Sequence, residues 1–252
     1  MSRISRKNYL SSFLHIMVQG INREYIFHKN YFKNLYMNLT NEKFNENNIY
    51  LLAFAIMENH AHLLIRFEKI EDVSNCMHEI NQTFAQIYNK VENRVGYVFR
   101  DRYKCEQIKD ESHLYNVLAY IHFNPYKAKL IEKLADYKYS SYVDYIKGNI
   151  EKEKVYMIFN TYEYKEIFIE LHKEYFDKYL KNVTIEKTYN DVINEFKLKN
   201  KIESTKIITK ENNLLINLIF ELENKTNLND KQIAAVLGIG KNRIGYLKNK
   251  LK

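Results

Sequence analysis

Two histidines separated by one alanine, in Met57-Glu-Asn-His60-Ala-His62-Leu-Leu-Ile-Arg66, are the side chains best spaced for chemistry in this 252-residue chain. A strand repeats every two residues, so His60 and His62 share one face while Ala61, Leu63, Ile65 and Phe67 share the other. The apolar set needs a hydrophobic layer to pack on. The imidazoles then stand side by side on a rigid sheet, facing away from that layer, as a divalent-metal site requires. The pair alone says little, because most His-x-His pairs bind nothing.

A second segment is Leu114-Tyr-Asn-Val-Leu-Ala-Tyr120-Ile-His-Phe-Asn124-Pro125. Leu114, Val117, Leu118 and Ile121 fall at helical spacing and form a core stripe. Tyr120 and Asn124 lie one turn apart on the edge of that stripe, so their polar ends point the same way. Tyr120 is then either a boundary aromatic with its hydroxyl in water, or a phenolic nucleophile beside a His/His/Asn site for a hard divalent cation.

The elements that must position these groups are legible in outline. Tyr9–Val18 reads as a strand ended by Gly20, followed by a helix from about Asn30 to Leu39. Ile49–Ile56 is almost wholly apolar, as a strand buried on both faces would be, and a tight turn at Glu58-Asn59 leads into the histidine strand. Val73, Met77, Ile80, Phe84, Ile87 and Val91 mark a long amphipathic helix. A strand over Tyr103–Ile108 precedes a helix starting at Asp110. Strand–helix–strand–strand–helix–strand is the split βαβ order, which predicts an α+β fold. We expect a ferredoxin-like antiparallel sheet with helices on one face over residues 1–147, and a charged helical connector over 148–207.

Residues 208–252 read as a helix-turn-helix. Asn229-Asp230 caps a short helix, Gly238-Ile-Gly240 supplies the turn, and Ile233, Ala234, Leu237, Ile239, Ile244 and Leu247 would form its core. Lys241, Asn242, Arg243 and Lys248 would then be exposed on the second helix. That basic face favours duplex DNA over the protein-interaction role that short trihelical units also serve.

Composition narrows the class. The chain carries 39 Lys and Arg against 31 Asp and Glu, a net charge of +8, which modestly favours an anionic partner such as nucleic acid. Cys76 and Cys105 make no metal pattern and suit a reducing compartment. No apolar run is long enough to span a bilayer, and Met1-Ser-Arg-Ile-Ser-Arg-Lys lacks the apolar core of a signal peptide. A cytoplasmic location with no membrane partner is expected.

Five ordered segments resemble the single-tyrosine HUH transposases, and within them the REP-associated tyrosine transposases with an IS200-like transposase domain. They are Gly20-Ile-Asn-Arg23-Glu-Tyr-Ile-Phe27, Met57–Leu64, Asn93–Lys104, Tyr120-Ile-His-Phe-Asn-Pro-Tyr-Lys-Ala128 and Asp136-Tyr-Lys-Tyr-Ser-Ser-Tyr142. The resemblance spans most of residues 3–145. It implies that His60 and His62 are metal ligands for Mg²⁺ or Mn²⁺, Asn124 a third ligand, and Tyr120 the nucleophile. It further implies cleavage of single-stranded DNA next to a hairpin, through a 5′-phosphotyrosyl intermediate and a free 3′-hydroxyl. This chain departs from the family at Glu58 (proline usual), Ala61 (valine common), Tyr97 (histidine common) and Tyr139 (tryptophan usual). Glu58 would give either a looser turn or an extra carboxylate near the histidines.

Arg100, Arg102, Tyr103 and Lys104 interleave cations with an aromatic ring, able to hold phosphates and stack an unpaired base, or else form a solvated turn. Tyr88, Tyr97, Tyr115 and Tyr126 are read as packing or DNA-contact residues. His15, His78, His113 and His122 are placed outside the metal's ligands, His15 being on a strand able to neighbour that of His60. Besides DNA strand transfer, two other readings fit: a non-catalytic DNA-binding regulator, and a metal-dependent phosphodiesterase using water. A homodimer is compatible with all of them, since the resemblance does not fix whether Tyr120 serves its own histidines or a partner's.

Overall fold

Alternating large apolar residues build the sheet that carries the histidines. In the computed structural model, which describes residues 12–226 and 228–249, four strands form one antiparallel sheet: β1 (Phe13–Gln19), β2 (Tyr50–Ile56), β3 (His60–Arg66) and β4 (Lys104–Gln107). Their order is β2-β3-β1-β4. The predicted residues Tyr9–Ser11 of the first strand lie outside the described residues. Helix α1 (Asn30–Glu46) joins β1 to β2, and α2 (Ile70–Val91) joins β3 to β4. The α+β class and split βαβ order stand.

Leu14, Ile16 and Val18 of β1 with Ala61, Leu63 and Ile65 of β3 face α1 and α2, where Phe32, Tyr36, Phe84 and Met77 complete the first core. Helix placement differs from the expectation of one covered face. Helix α3 (Glu111–Lys127) lies on the opposite side, where Leu114, Val117, Leu118 and Ile121 join Leu52, Ala53, Ala55 and Leu64 in a second core. The cause is β2, whose burial on both faces requires apolar cover on each. A register irregularity between Leu51 and Ala53 accompanies this two-sided packing.

The outer edge of β2 is closed by the segment after α3. Ile56 N donates to Tyr139 O, Ser141 N to Phe54 O, and the hydroxyls of Tyr137 and Tyr145 to the carbonyls of Ile56 and Leu52. The unpaired strand edge is thereby satisfied within the chain.

Residues 148–207 are not the solvated connector expected of them. The chain divides into two compact units, residues 1–175 and 176–252, with the boundary inside α6 (Lys165–Lys199). Val155, Ile158 and Phe159 of α5 (Lys152–Phe159), and Phe168 of α6, are buried in the second core. Val192, Ile193 and Phe196 instead enter the core of the second unit. High charge masked these apolar positions, which recur at helical spacing on one side only. α4 (Tyr142–Lys147) and α7 (Thr205–Lys210) are short.

The second unit also contains α8 (Asn212–Lys225), α9 (Asp230–Leu237) and α10 (Lys241–Asn249). Asn229 caps α9 by accepting from Gln232 N, while Gln232 reaches back to the cap, and Gly238 ends the helix at φ 64°. Ile233, Ala234, Leu237, Ile244 and Leu247 are buried as expected, with Ile239 packed at the margin.

Candidate active site on the open sheet face

On the side of the sheet turned from α1 and α2, β3 presents His60, His62 and Leu64, and β1 presents Gln19, Met17 and His15 opposite them. The turn before His60 is held from three sides. Met57 N donates to His60 O, Gly20 N to Asn59 O and Phe27 N to Glu58 O. Gly20 is required there, since a Cβ would sit 2.4 Å from the Glu24 carbonyl oxygen. Glu58 therefore leaves the turn intact. Its charge is felt by Lys33 and Tyr137.

Tyr120, on α3, brings its half-buried ring edge-on to His62 at 5.4 Å between centroids and to His15 at 5.7 Å. His60 and His62 are 5.0 Å apart. Three of the residues singled out from the sequence thus meet within one chain, and His15 joins them. His15 Nε2 lies 2.9 Å from His62 Nδ1 with the rings stacked, and His60 Nδ1 lies 2.5 Å from Asn59 Oδ1. Its position one strand away, on the same two-residue phase, was the available signal for His15; the strand order needed to use it is tertiary.

These contacts decide which nitrogens remain. Proton donation from His60 Nδ1 to Asn59 leaves Nε2 with its lone pair, and His62 is in the same state when its Nδ1 donates to His15. Burial lowers the pKa of all three rings: His15 to about 4, His60 below its usual value, and His62 well below it with help from His15, His60 and Lys127. Neutral imidazoles with free Nε2 atoms have the donor chemistry of a divalent-metal site. Among the described residues, no group of three or more His, Cys, Asp or Glu side chains is arranged to hold a metal ion. A third donor must therefore come from another residue type, from water or from a ligand. The Asn124 amide nitrogen bonds to the Tyr120 carbonyl at 2.8 Å, which leaves the amide oxygen as the end not spent on the helix.

Arg100, Arg102 and Lys104 are exposed and line a shallow depression with Asp101, Met17 and Gln19, the last two being cross-strand neighbours of His62 and His60. Tyr103 does not join them. It is buried in the first core with its hydroxyl 3.2 Å from Ser74 Oγ, because strand alternation turns it to the α2 side. It cannot stack a base. In the second unit Asn242 is exposed and Arg243 bonds to Asn212 Oδ1 at 3.2 Å. The Lys241 side chain lies outside the described residues. Lys248 is held by Glu223 and by Asp230, the latter at 2.7 Å, so its charge is used within the unit rather than presented on the helix face.

His122, Ser141 and His172 form a second, buried group that the sequence did not reveal. His122 Nδ1 lies 2.8 Å from His172 Nε2 and its Nε2 2.9 Å from Ser141 Oγ, while His172 Nδ1 lies 2.7 Å from Phe168 O.

Comparison with known proteins agrees with this architecture. Residues 8–124 match the family described as Transposase IS200 like. The structure of a REP-associated tyrosine transposase bound to a REP hairpin superposes with a TM-score of 0.50 at 16% identity, covering 60% of this chain and 88% of that one. A candidate transposase from Deinococcus radiodurans R1 covers 44% of this chain and 89% of its own at 13% identity, with a TM-score of 0.33. No curated protein matches the sequence. No helix among the described residues is long and apolar enough to cross a membrane. Residues 8–124 of the first unit thus resemble the IS200-like transposase family in sequence, and the four-stranded antiparallel sheet with its helices shares the fold of a REP-associated tyrosine transposase.

Proposed function

We propose that this protein nicks single-stranded DNA beside a hairpin and transfers the strand through a covalent bond to Tyr120. The observation that carries the reading is the meeting of Tyr120 with His62 and His15 on the open sheet face, beside His60. His60, His62 and the Asn124 amide oxygen would hold Mg²⁺ or Mn²⁺, which when bound polarises a non-bridging phosphate oxygen.

The chain's own residues do the rest. Arg100, Arg102 and Lys104 hold backbone phosphates along the depression leading to the histidines. The Tyr120 phenolic oxygen attacks phosphorus, and the P–O3′ bond breaks with its electron pair going to the 3′-oxygen. The phenol loses a proton and the 3′-oxygen gains one. The downstream strand stays attached to the protein through its 5′-phosphate. Because the phosphodiester energy is conserved in the new bond, the released or another 3′-hydroxyl can reverse the step without a nucleotide cofactor. Asn242 and Arg243 of α10, with Lys241, would supply a second contact to duplex DNA, raising local concentration at the target.

Labelled single-stranded hairpin DNA incubated with the protein and Mg²⁺ or Mn²⁺, then run on a denaturing gel, tests the reading. A protein–DNA adduct that disappears in Tyr120→Phe is the expected result. Cleavage that survives Tyr120→Phe would assign the reaction to water, and binding without cleavage would leave a DNA-binding regulator.

A further inference from the structure

Lys127 follows Tyr120 by seven residues, two helical turns, and so lies on the same side of α3. A lysine in the last turn of a helix ordinarily extends to solvent near the terminal carbonyls. This one is folded back and half-buried. Its Nζ lies 4.7 Å from the centroid of the Tyr120 ring and 4.7 Å from that of Tyr175, and it donates to the Tyr175 hydroxyl at 2.5 Å. Tyr175 is itself fixed by packing against Phe123 of α3 at 5.2 Å. Two aromatic faces compensate in part for the lost hydration of the ammonium group. The charge also reaches His62, where it opposes protonation.

We infer that Lys127 is the local cation of the Tyr120 reaction, held in place by Tyr175. This rests on the reading that Tyr120 is the nucleophile. As the Tyr120 O–P bond forms and the P–O3′ bond breaks, negative charge passes through the phenolic oxygen and the phosphoryl group. In the reverse direction the phenolate is the leaving group and the same charge returns to it. A preplaced cation at the ring therefore speeds both directions. A lysine that only grips the DNA backbone changes affinity and leaves both chemical rates alone. Burial pushes the Lys127 ammonium's pKa down; the role uses its charged form and exchanges no proton with the substrate, so the proton balance of the step is unaltered.

The test uses the full chain and a 3′-labelled pool of single-stranded DNA hairpins with randomised flanks, since the downstream fragment stays on the protein. Adduct formation at saturating DNA, rejoining by added 3′-hydroxyl strand, DNA affinity and thermal midpoint are measured for Lys127→Met, Lys127→Arg and Tyr175→Phe. Lys127→Met is expected to slow both adduct formation and rejoining by about 30-fold, at nearly unchanged DNA affinity. Lys127→Arg should recover most of the rate, and Tyr175→Phe should fall between. Unchanged rates in Lys127→Met, a loss seen only as weaker DNA binding, or an arginine variant as slow as methionine would each overturn the inference. An absence of adduct with the unaltered protein would instead bring down the reading of Tyr120 as nucleophile, and this inference with it.

Discussion

Two histidine clusters of the first unit are built from the same side chain and put to opposite uses. In the sealed cluster, His122 and His172 are 1% and 4% exposed, and all four ring nitrogens bond within the chain. The proton order follows without choice: His172 Nδ1 donates to Phe168 O, His122 Nδ1 donates to His172 Nε2, and Ser141 donates to His122 Nε2. Phe54 N in turn donates to Ser141 Oγ, tying α3 and α6 to the outer strand. In the open cluster His62 is equally buried at 1%, but His15 and His60 are only partly buried, and each of the three rings spends one nitrogen on a partner. A site for an external ligand needs spare lone pairs on a rigid support, whereas a structural network is best when none is spare.

The sharpest way to break this contrast is Tyr120→Phe, which removes one hydroxyl from the open cluster. Adduct formation on single-stranded hairpin DNA should fall more than about 1,000-fold with the thermal midpoint little changed. An adduct that persists would remove Tyr120 from the chemistry. The converse substitution, His122→Leu, strands buried His172 Nε2, removes the acceptor of the Ser141 hydroxyl and should cost about 2–4 kcal/mol in urea unfolding. The remaining folded molecules should form adduct at the unaltered rate.

Acid should act on both clusters. His15 and His172 are held neutral, with pKa lowered to about 4 by burial, while the unfolded chain binds protons near 6.5. Their contribution is therefore complete above about pH 6.5 and is lost as pH falls toward 4, by up to ~3 kcal/mol each. Urea unfolding across that range should show the decline, and His172→Phe should flatten part of it. A pH-independent stability between 7 and 5 would contradict the neutral assignment.

Metal binding separates the clusters at smaller energies. His15→Leu removes the partner of His62 Nδ1 and should weaken Mn²⁺ binding, read by calorimetry, by about 10–100-fold, whereas His172→Phe should leave it unchanged. Equal effects would mean that the open face is no better a metal site than the sealed one. Least of all, Arg100→Ala or Arg102→Ala should each reduce the salt dependence of single-stranded DNA binding by about one ion, while Tyr103→Phe leaves it unaltered.

Local patterning made much of this legible. The two-residue period places His60 and His62 together and away from Leu63 and Ile65, and helical spacing places Tyr120 and Asn124 on one edge of α3. The same rules misjudged Tyr103, whose neighbours suggested a charged DNA-facing run although its own phase in the alternation pointed inward. Lys248 was misjudged too, because its acidic partners Glu223 and Asp230 come from other helices. Segment 148–207 looked like a connector since its charge outweighs a sparse apolar stripe that only a facing core reveals.

What the chain by itself determined is therefore what repeats locally: the strand and helix phases, the caps at Asn229 and Gly238, and the pairing of imidazoles on β3. Strand order, the meeting of His15 with His62, the folding of Lys127 between Tyr120 and Tyr175, and the sealing of His122 against His172 were decided by tertiary structure alone. Each joins residues far apart in sequence, and such contacts form only after distant elements have paid their ordering entropy and packed.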